Sequence, residues 1–153
     1  MLKCIILDHF SFFMNRFKIL ISIVTIAFVS VFLLAVWSFW EPSGIKKGSI
    51  AYTLKVPSDA KTFPLWGVIN VPEFDVNVAD GEKPSATVLH YNSSLQLKGL
   101  TDLAAKLGFG CKRYETTAVL CDKKIDDRRA QQIIFQKNTE SEPSQVRVLF
   151  IGY

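Results

Sequence analysis

Residues 19–40 form one uninterrupted run of 22 residues without a charge, a proline or a glycine, from Ile19 to Trp40. A helix of that length covers about 33 Å at about 1.5 Å per residue, enough for a hydrocarbon core of about 30 Å. No polar stripe recurs at helical spacing, so the run does not read as an amphipathic core helix. Trp37 and Trp40 gather at its downstream end, where amphipathic rings favour the headgroup level, and Glu41-Pro42 predicts the end of the helix. Signal-peptide cores run about 7–15 residues, so the reading is an uncleaved anchor. The run has no ionisable residue that would mark an ion path and no pair of small residues four apart that would drive helix pairing.

The rest of the chain fits that frame. It has 153 residues and a net charge of +4, with 18 Lys and Arg against 14 Asp and Glu. Only Lys3, Asp8, Arg16 and Lys18 carry charge ahead of the apolar run. The remainder is therefore a nearly balanced segment of single-domain size. That balance argues against a polytopic transporter, a strongly basic nucleic-acid binder and a disordered polyelectrolyte.

The domain organisation read from the chain is a short N-terminal segment over 1–18, the membrane helix over 19–40, a tether over 41–48, and a folded domain over 49–153. Lysines and arginine before the span (Lys3, Arg16, Lys18) nearly match those after it (Lys46, Lys47, Lys55). Two features break the tie toward a cytoplasmic N-terminus. Met14 to Lys18 resembles the short basic leader of a signal anchor, with Met14 expected as the true start. The cysteines described below point to an oxidising space for the domain. Arg16, Lys18, Trp37 and Trp40 are the expected anchor residues. The expected setting is a bacterial inner membrane with the domain facing the periplasm.

Within the domain, Ile50, Tyr52, Leu54 and Val56 alternate strictly, which predicts a half-buried strand over 49–56. Further strands are expected over 65–71 and 74–78, with a turn at Asp80-Gly81, and over 87–91 as a strand or helix start. The clearest helix is over 95–107, with Ser93 or Ser94 as cap, Leu100, Leu103, Ala104 and Leu107 on one face, and Gly108 as stop. Strands follow over 111–121 (as a hairpin), 132–136 and 145–151. This pattern predicts an α+β class: one membrane helix, then a small antiparallel sheet with one main helix.

Cys111 and Cys121 flank a segment that would turn near Thr116, bringing the two opposite each other for a disulfide. The alternative is a pair of buried thiols. Such a bond belongs to an oxidising compartment. Zinc coordination needs more ligands than these cysteines and His90 supply, and no Cys-x-x-Cys is present, so neither a metal nor another cofactor is expected.

Signals for catalysis are sparse. His90 lacks a Gly-x-Ser-x-Gly partner and reads as a half-exposed residue on a strand. Strand alternation would put Glu73 and Asp75 on one face near Asp80 and Glu82, an acidic stretch that usually is a solvated loop. Trp66, beside Pro64 and Gly67, reads as a core residue. Lys112, Arg113, Tyr114, Lys123 and Lys124 form the expected interaction surface, partly neutralised by Asp122, Asp126 and Asp127. The functional expectation is a non-enzymatic, membrane-bound module that binds a protein partner in an envelope or secretory assembly. The runner-up is a small-molecule, lipid or glycan-binding domain with a pocket between helix and sheet, and behind it a hydrolase.

Overall fold

A computed structural model describes residues 2–79, 83–137, 139 and 142–152, with side chains from Lys18 onward. The chain divides into two compact units, Met1–Trp40 and Glu41–Tyr153. In the first, helix α1 runs over Leu2–Ser38. Its segment Lys18–Phe39 is long and apolar enough to cross a membrane, and none of it is buried. The Thr25, Ser30 and Ser38 hydroxyls donate to carbonyls four residues back, so the helix satisfies its own polar groups. The rings of Trp37 and Trp40 stack 5.2 Å apart at its end. The side chain of Arg16 lies outside the described residues.

The second unit is α+β. Its elements are β1 (Ile45–Lys46), α2 (Ile50–Lys55), α3 (Ser58–Lys61), β2 (Glu73–Asn77), β3 (Ser85–Ser93), α4 (Leu97–Lys106), β4 (Gly110–Glu115), β5 (Ala118–Lys124), β6 (Arg129–Gln136) and β7 (Ser144–Gly152). All seven strands form one antiparallel sheet in the order β1-β2-β3-β7-β6-β5-β4. Two meanders are thus joined along β3 and β7, and α4 carries the chain from one to the other.

Alternation along β3 and β7 sorts residues to opposite faces. Leu89 and Tyr91 on β3 are buried with Val146, Val148 and Phe150 on β7. Ile133 and Phe135 on β6 and Cys121 on β5 extend this layer, and Leu100 and Ala104 of α4 close over it. Phe63 and Trp66 stack on it edge-on, Phe63 against Phe150 and Trp66 against Phe63, so Trp66 belongs to the core as expected.

Three departures from the sequence reading have physical causes. Residues 50–55 are helical, not a strand. The Ser49 side chain accepts the Tyr52 N–H at 3.1 Å and caps the turn, and a six-residue run gives periodicity too little length to separate the two states. Within α2, Ala51 and Tyr52 pack on the core while Ile50 and Leu54 point to solvent. Residues 41–48, read as a tether, carry β1, and Ile45 is buried against the sheet. Residues 65–71 contribute one isolated bridge, Val68 to Ser93, instead of a strand. The Asp80-Gly81 turn and the carboxylate of Glu82 lie outside the described residues.

Helix α4 begins two residues later than expected, and neither serine caps it by side chain. Ser93 is fully buried. Its hydroxyl donates to the Trp66 carbonyl at 2.7 Å and accepts the Leu95 N–H at 3.1 Å. Opposite it on β7, Ser144 donates to the Leu95 carbonyl at 2.8 Å. The two serines therefore tie the entry of α4 and the Trp66 loop to the end of the central ladder. Gly67 lies beneath them at φ +58°, and a Cβ there would come within 2.8 Å of Leu95, so only glycine fits. Gly108, at φ +83°, ends α4 as expected.

Phe135 faces the core and Leu149 the opposite side. Phe135→Ala is expected to lower stability by about 3–5 kcal/mol, whereas Leu149→Ala changes it by less than about 1 kcal/mol; urea unfolding of both variants tests the register. Burial pushes the Tyr91 hydroxyl up from 10.0 to about 12, against a smaller opposing effect from the Trp66 backbone bond. Because the unfolded chain ionises Tyr91 first, its contribution is complete below pH 10 and is lost as the pH rises toward about 12. Tyr91→Phe should flatten that part of the stability–pH curve relative to wild type.

Candidate functional site

The helices cover one side of the sheet. The side facing away from them is a seven-strand surface whose composition follows from the register. One row crosses it as Lys46, Glu73, His90, Arg147, Ile134, Leu120 and Lys112, each directly paired with the next. The neighbouring row runs Asp75, Val88, Leu149, Gln132, Asp122 and Gly110. Val88, Leu149, Ile134 and Leu120 are each half-buried and alternate with Arg147 and Gln132, so the middle of this face carries aliphatic side chains that are still open to solvent.

Charged groups flank that middle. On the β1–β3 side, the Lys46 ammonium lies 3.3 Å from a Glu73 oxygen and His90 Nε2 lies 3.0 Å from Asp75 Oδ2. The other Asp75 oxygen accepts the Gly44 N–H at 2.8 Å. Glu73 and Asp75 do share one face, as their spacing predicts. His90 and Asp75 form a carboxylate–imidazole pair of the sort that orients a base. Beside it is a depression of about 140 Å³ lined by Glu73, His90, Asn92, Gln145 and Arg147 among others, and no Ser, Thr or Cys is in that lining. Among the described residues, no group of three or more His, Cys, Asp and Glu side chains is placed to hold a metal ion.

On the far side, the expected interaction surface is divided. Lys112 and Lys124 lie on the open face, Lys124 in an ion pair with Asp127 at 2.8 Å. Arg113 and Lys123 alternate to the helix side, where the Lys123 ammonium donates to the Leu107 carbonyl at 2.7 Å and lies over the Phe109 ring. Tyr114 occupies a β-bulge and is 62% exposed. The acids neutralise this region as expected. Backbone N–H bonds, first from Arg128, and the Arg129 side chain hold the Asp126 carboxyl below the usual carboxylate range.

Cys111 and Cys121 pair directly across β4 and β5, with Cα atoms 4.0 Å apart, and form a disulfide. Residues 116 and 117 make the intervening turn, as the spacing predicts. Closing so short a loop is expected to contribute about 3 kcal/mol. The bond secures the outer strand of the sheet on its buried side.

Arg147, Leu149, Ile134 and Leu120 went unrecognised in the sequence reading. A partial signal exists in residues 145–151, where Gln145 and Arg147 interrupt an otherwise apolar run at every second position. Which residues sit beside them depends on sheet order, which no local pattern encodes. The interface between α4 and the sheet, the expected place for a pocket, is filled by Leu100, Ala104, Phe109, Ile133 and Phe135. An open cleft of about 370 Å³ lies elsewhere, between the α2–α3 segment and the sheet end near Arg129. No family model, curated protein or solved structure matches the chain.

Proposed function

We propose that this chain is a single-pass, membrane-anchored and non-enzymatic module whose open sheet face binds a protein partner outside the cytoplasm. The observation that carries the reading is the set of half-buried aliphatic side chains Val88, Leu149, Ile134 and Leu120, with Arg147 and Gln132 among them and charged residues on both sides. An apolar centre with a polar rim is the anatomy of a protein interface. A sheet with helices on one side and half-exposed aliphatic side chains on the other has a surface to offer. The anchor reading rests on the apolar run ending in Trp37 and Trp40. The compartment reading rests on the Cys111–Cys121 disulfide, a bond that persists in a periplasm or similar oxidising space.

A photo-crosslinking residue at Leu149 or Ile134 of the membrane-bound chain should yield a discrete adduct with a second protein. The same residue at Thr116, on the β4–β5 turn, should not. Absence of the adduct at both open-face positions, or an adduct with the mass of two copies of the chain, overturns the partner reading. The compartment is tested by a membrane-impermeant maleimide on intact cells. Cys111 and Cys121 should label only after reduction. Labelling that requires permeabilisation but not reduction places the domain in the cytosol.

A further inference from the structure

The departure of residues 50–55 from strand to helix leaves two large aliphatic side chains without a partner. Ile50 is 77% exposed and Leu54 is 60% exposed. Four residues apart on one helical face, they form a single outward surface, while Ala51 and Tyr52 on the other face pack on the core.

An exposed lysine adjoins that surface. Lys46 to Ser49 make a tight turn, with the Ser49 N–H donating to the Lys46 carbonyl at 3.2 Å. Gly48, at φ +92°, completes the turn and leaves Lys47 exposed at its tip, just ahead of Ile50. At the other end of α2, the Lys61 ammonium donates to the Thr53 carbonyl at 3.0 Å and lies over the Tyr52 ring. Lys55 follows Leu54 but lines the cleft between the α2–α3 segment and the sheet end. Across the seventeen residues from Pro42 to Ser58 there are three lysines and not one acid. Of these lysines, Lys46 is in an ion pair with Glu73, and Lys47 is exposed at the turn.

Exposed aliphatics beside an exposed lysine, on a short helix close to the anchor, fit an anionic lipid surface better than a protein groove. A six-residue helix is too short to present the successive turns that helix-in-groove recognition uses. Shallow insertion of one or two apolar side chains between headgroups, with ammonium groups on phosphates, needs no such length. Covalent reach also favours the bilayer. Nine residues separate Trp40 from Ile50, so the chain allows at most about 3.3–3.6 Å for each of them. Tethering at that range gives the surface a high effective concentration of lipid.

We infer that the outward face of α2, with Ile50 and Leu54 inserted and Lys47 on a phosphate, docks on an anionic phospholipid surface. This docking rests on the reading of residues 19–40 as a membrane anchor. It is separate from the open sheet face, and it would leave that face free for a partner.

The test uses the full chain with Cys4→Ser in nanodiscs of phosphatidylcholine alone or with phosphatidylglycerol. A polarity-sensitive dye is placed at Leu54→Cys, at Tyr114→Cys or at Phe28→Cys, and brominated lipid is the quencher. The expected result is strong quenching and a blue shift at position 54 only when phosphatidylglycerol is present, with none at 114. Raising salt from about 0.1 M to about 1 M should abolish the lipid-charge dependence. Lys47→Gln should lower the docked-to-free ratio about fivefold. If position 54 is as wet as 114 in both lipids while 28 is quenched, the anchor stands and the docking face is overturned, with a protein left as its occupant. If 28 is itself unquenched, it is the anchor reading that has failed. Lys47→Gln leaving position 54 unchanged also overturns the role given to Lys47.

Discussion

Seven side chains, one from each strand, stand level on the covered side of the sheet: Ile45, Phe74, Leu89, Val148, Ile133, Cys121 and Cys111. Everything else in the domain depends on this row staying in register. A shift of one residue in any strand would turn its member outward and bring a polar neighbour under the helices. The row is closed at one end by the disulfide and at the other by Ile45, which the first meander brings under cover. Between them, the nine paired positions of β3 and β7 hold the two meanders together.

The same alternation that builds this row builds its opposite. Each buried residue fixes a neighbour on the far side, so the open face is a direct consequence of core register. The sheet's edges are handled differently from its face. Along β2, residues 41–44 act as a cover: Val76 donates to the Pro42 carbonyl, Val78 to the Glu41 carboxylate, and Gly44 to Asp75. At β4, Lys112 and Arg113 and the bulge at Tyr114 discourage further strand pairing. Edges are blunted while the middle of the face keeps aliphatic side chains open to solvent, a distribution that favours contact through side chains over strand addition.

Much of this was readable from local pattern. The 22-residue apolar run, the turn between the two cysteines, the apolar run after Gln145 and the glycine stop after α4 all carry their own signals. Residues 49–56 did not, because a cap at Ser49 outweighs an alternation that is equally compatible with a single helical turn and a half. Ser93 and Ser94 look like caps in sequence, yet they bond backward to residues 66 and 67, a partner that exists only once the loop has folded over. The basic residues around β4 and β5 read as one surface because they are close in sequence. Strand alternation then divides them, and the residues that replace them come from β6, β7 and β3.

The place of β7 in the sheet has a consequence for biogenesis. It is the last strand in chain order, yet it lies in the middle of the sheet, between β3 and β6. While a ribosome is still extending the chain, β3 can pair with β2 but lacks β7 on its other edge and the β7 side chains that pack beside Leu89 and Tyr91. Roughly sixty residues separate Ser93 from Gly152. At about 5–20 residues per second, that leaves one edge of β3 open and aggregation-prone for several seconds. A nascent domain of this topology is therefore a natural client for holding factors, and its completion is timed by the arrival of the nine-residue strand β7.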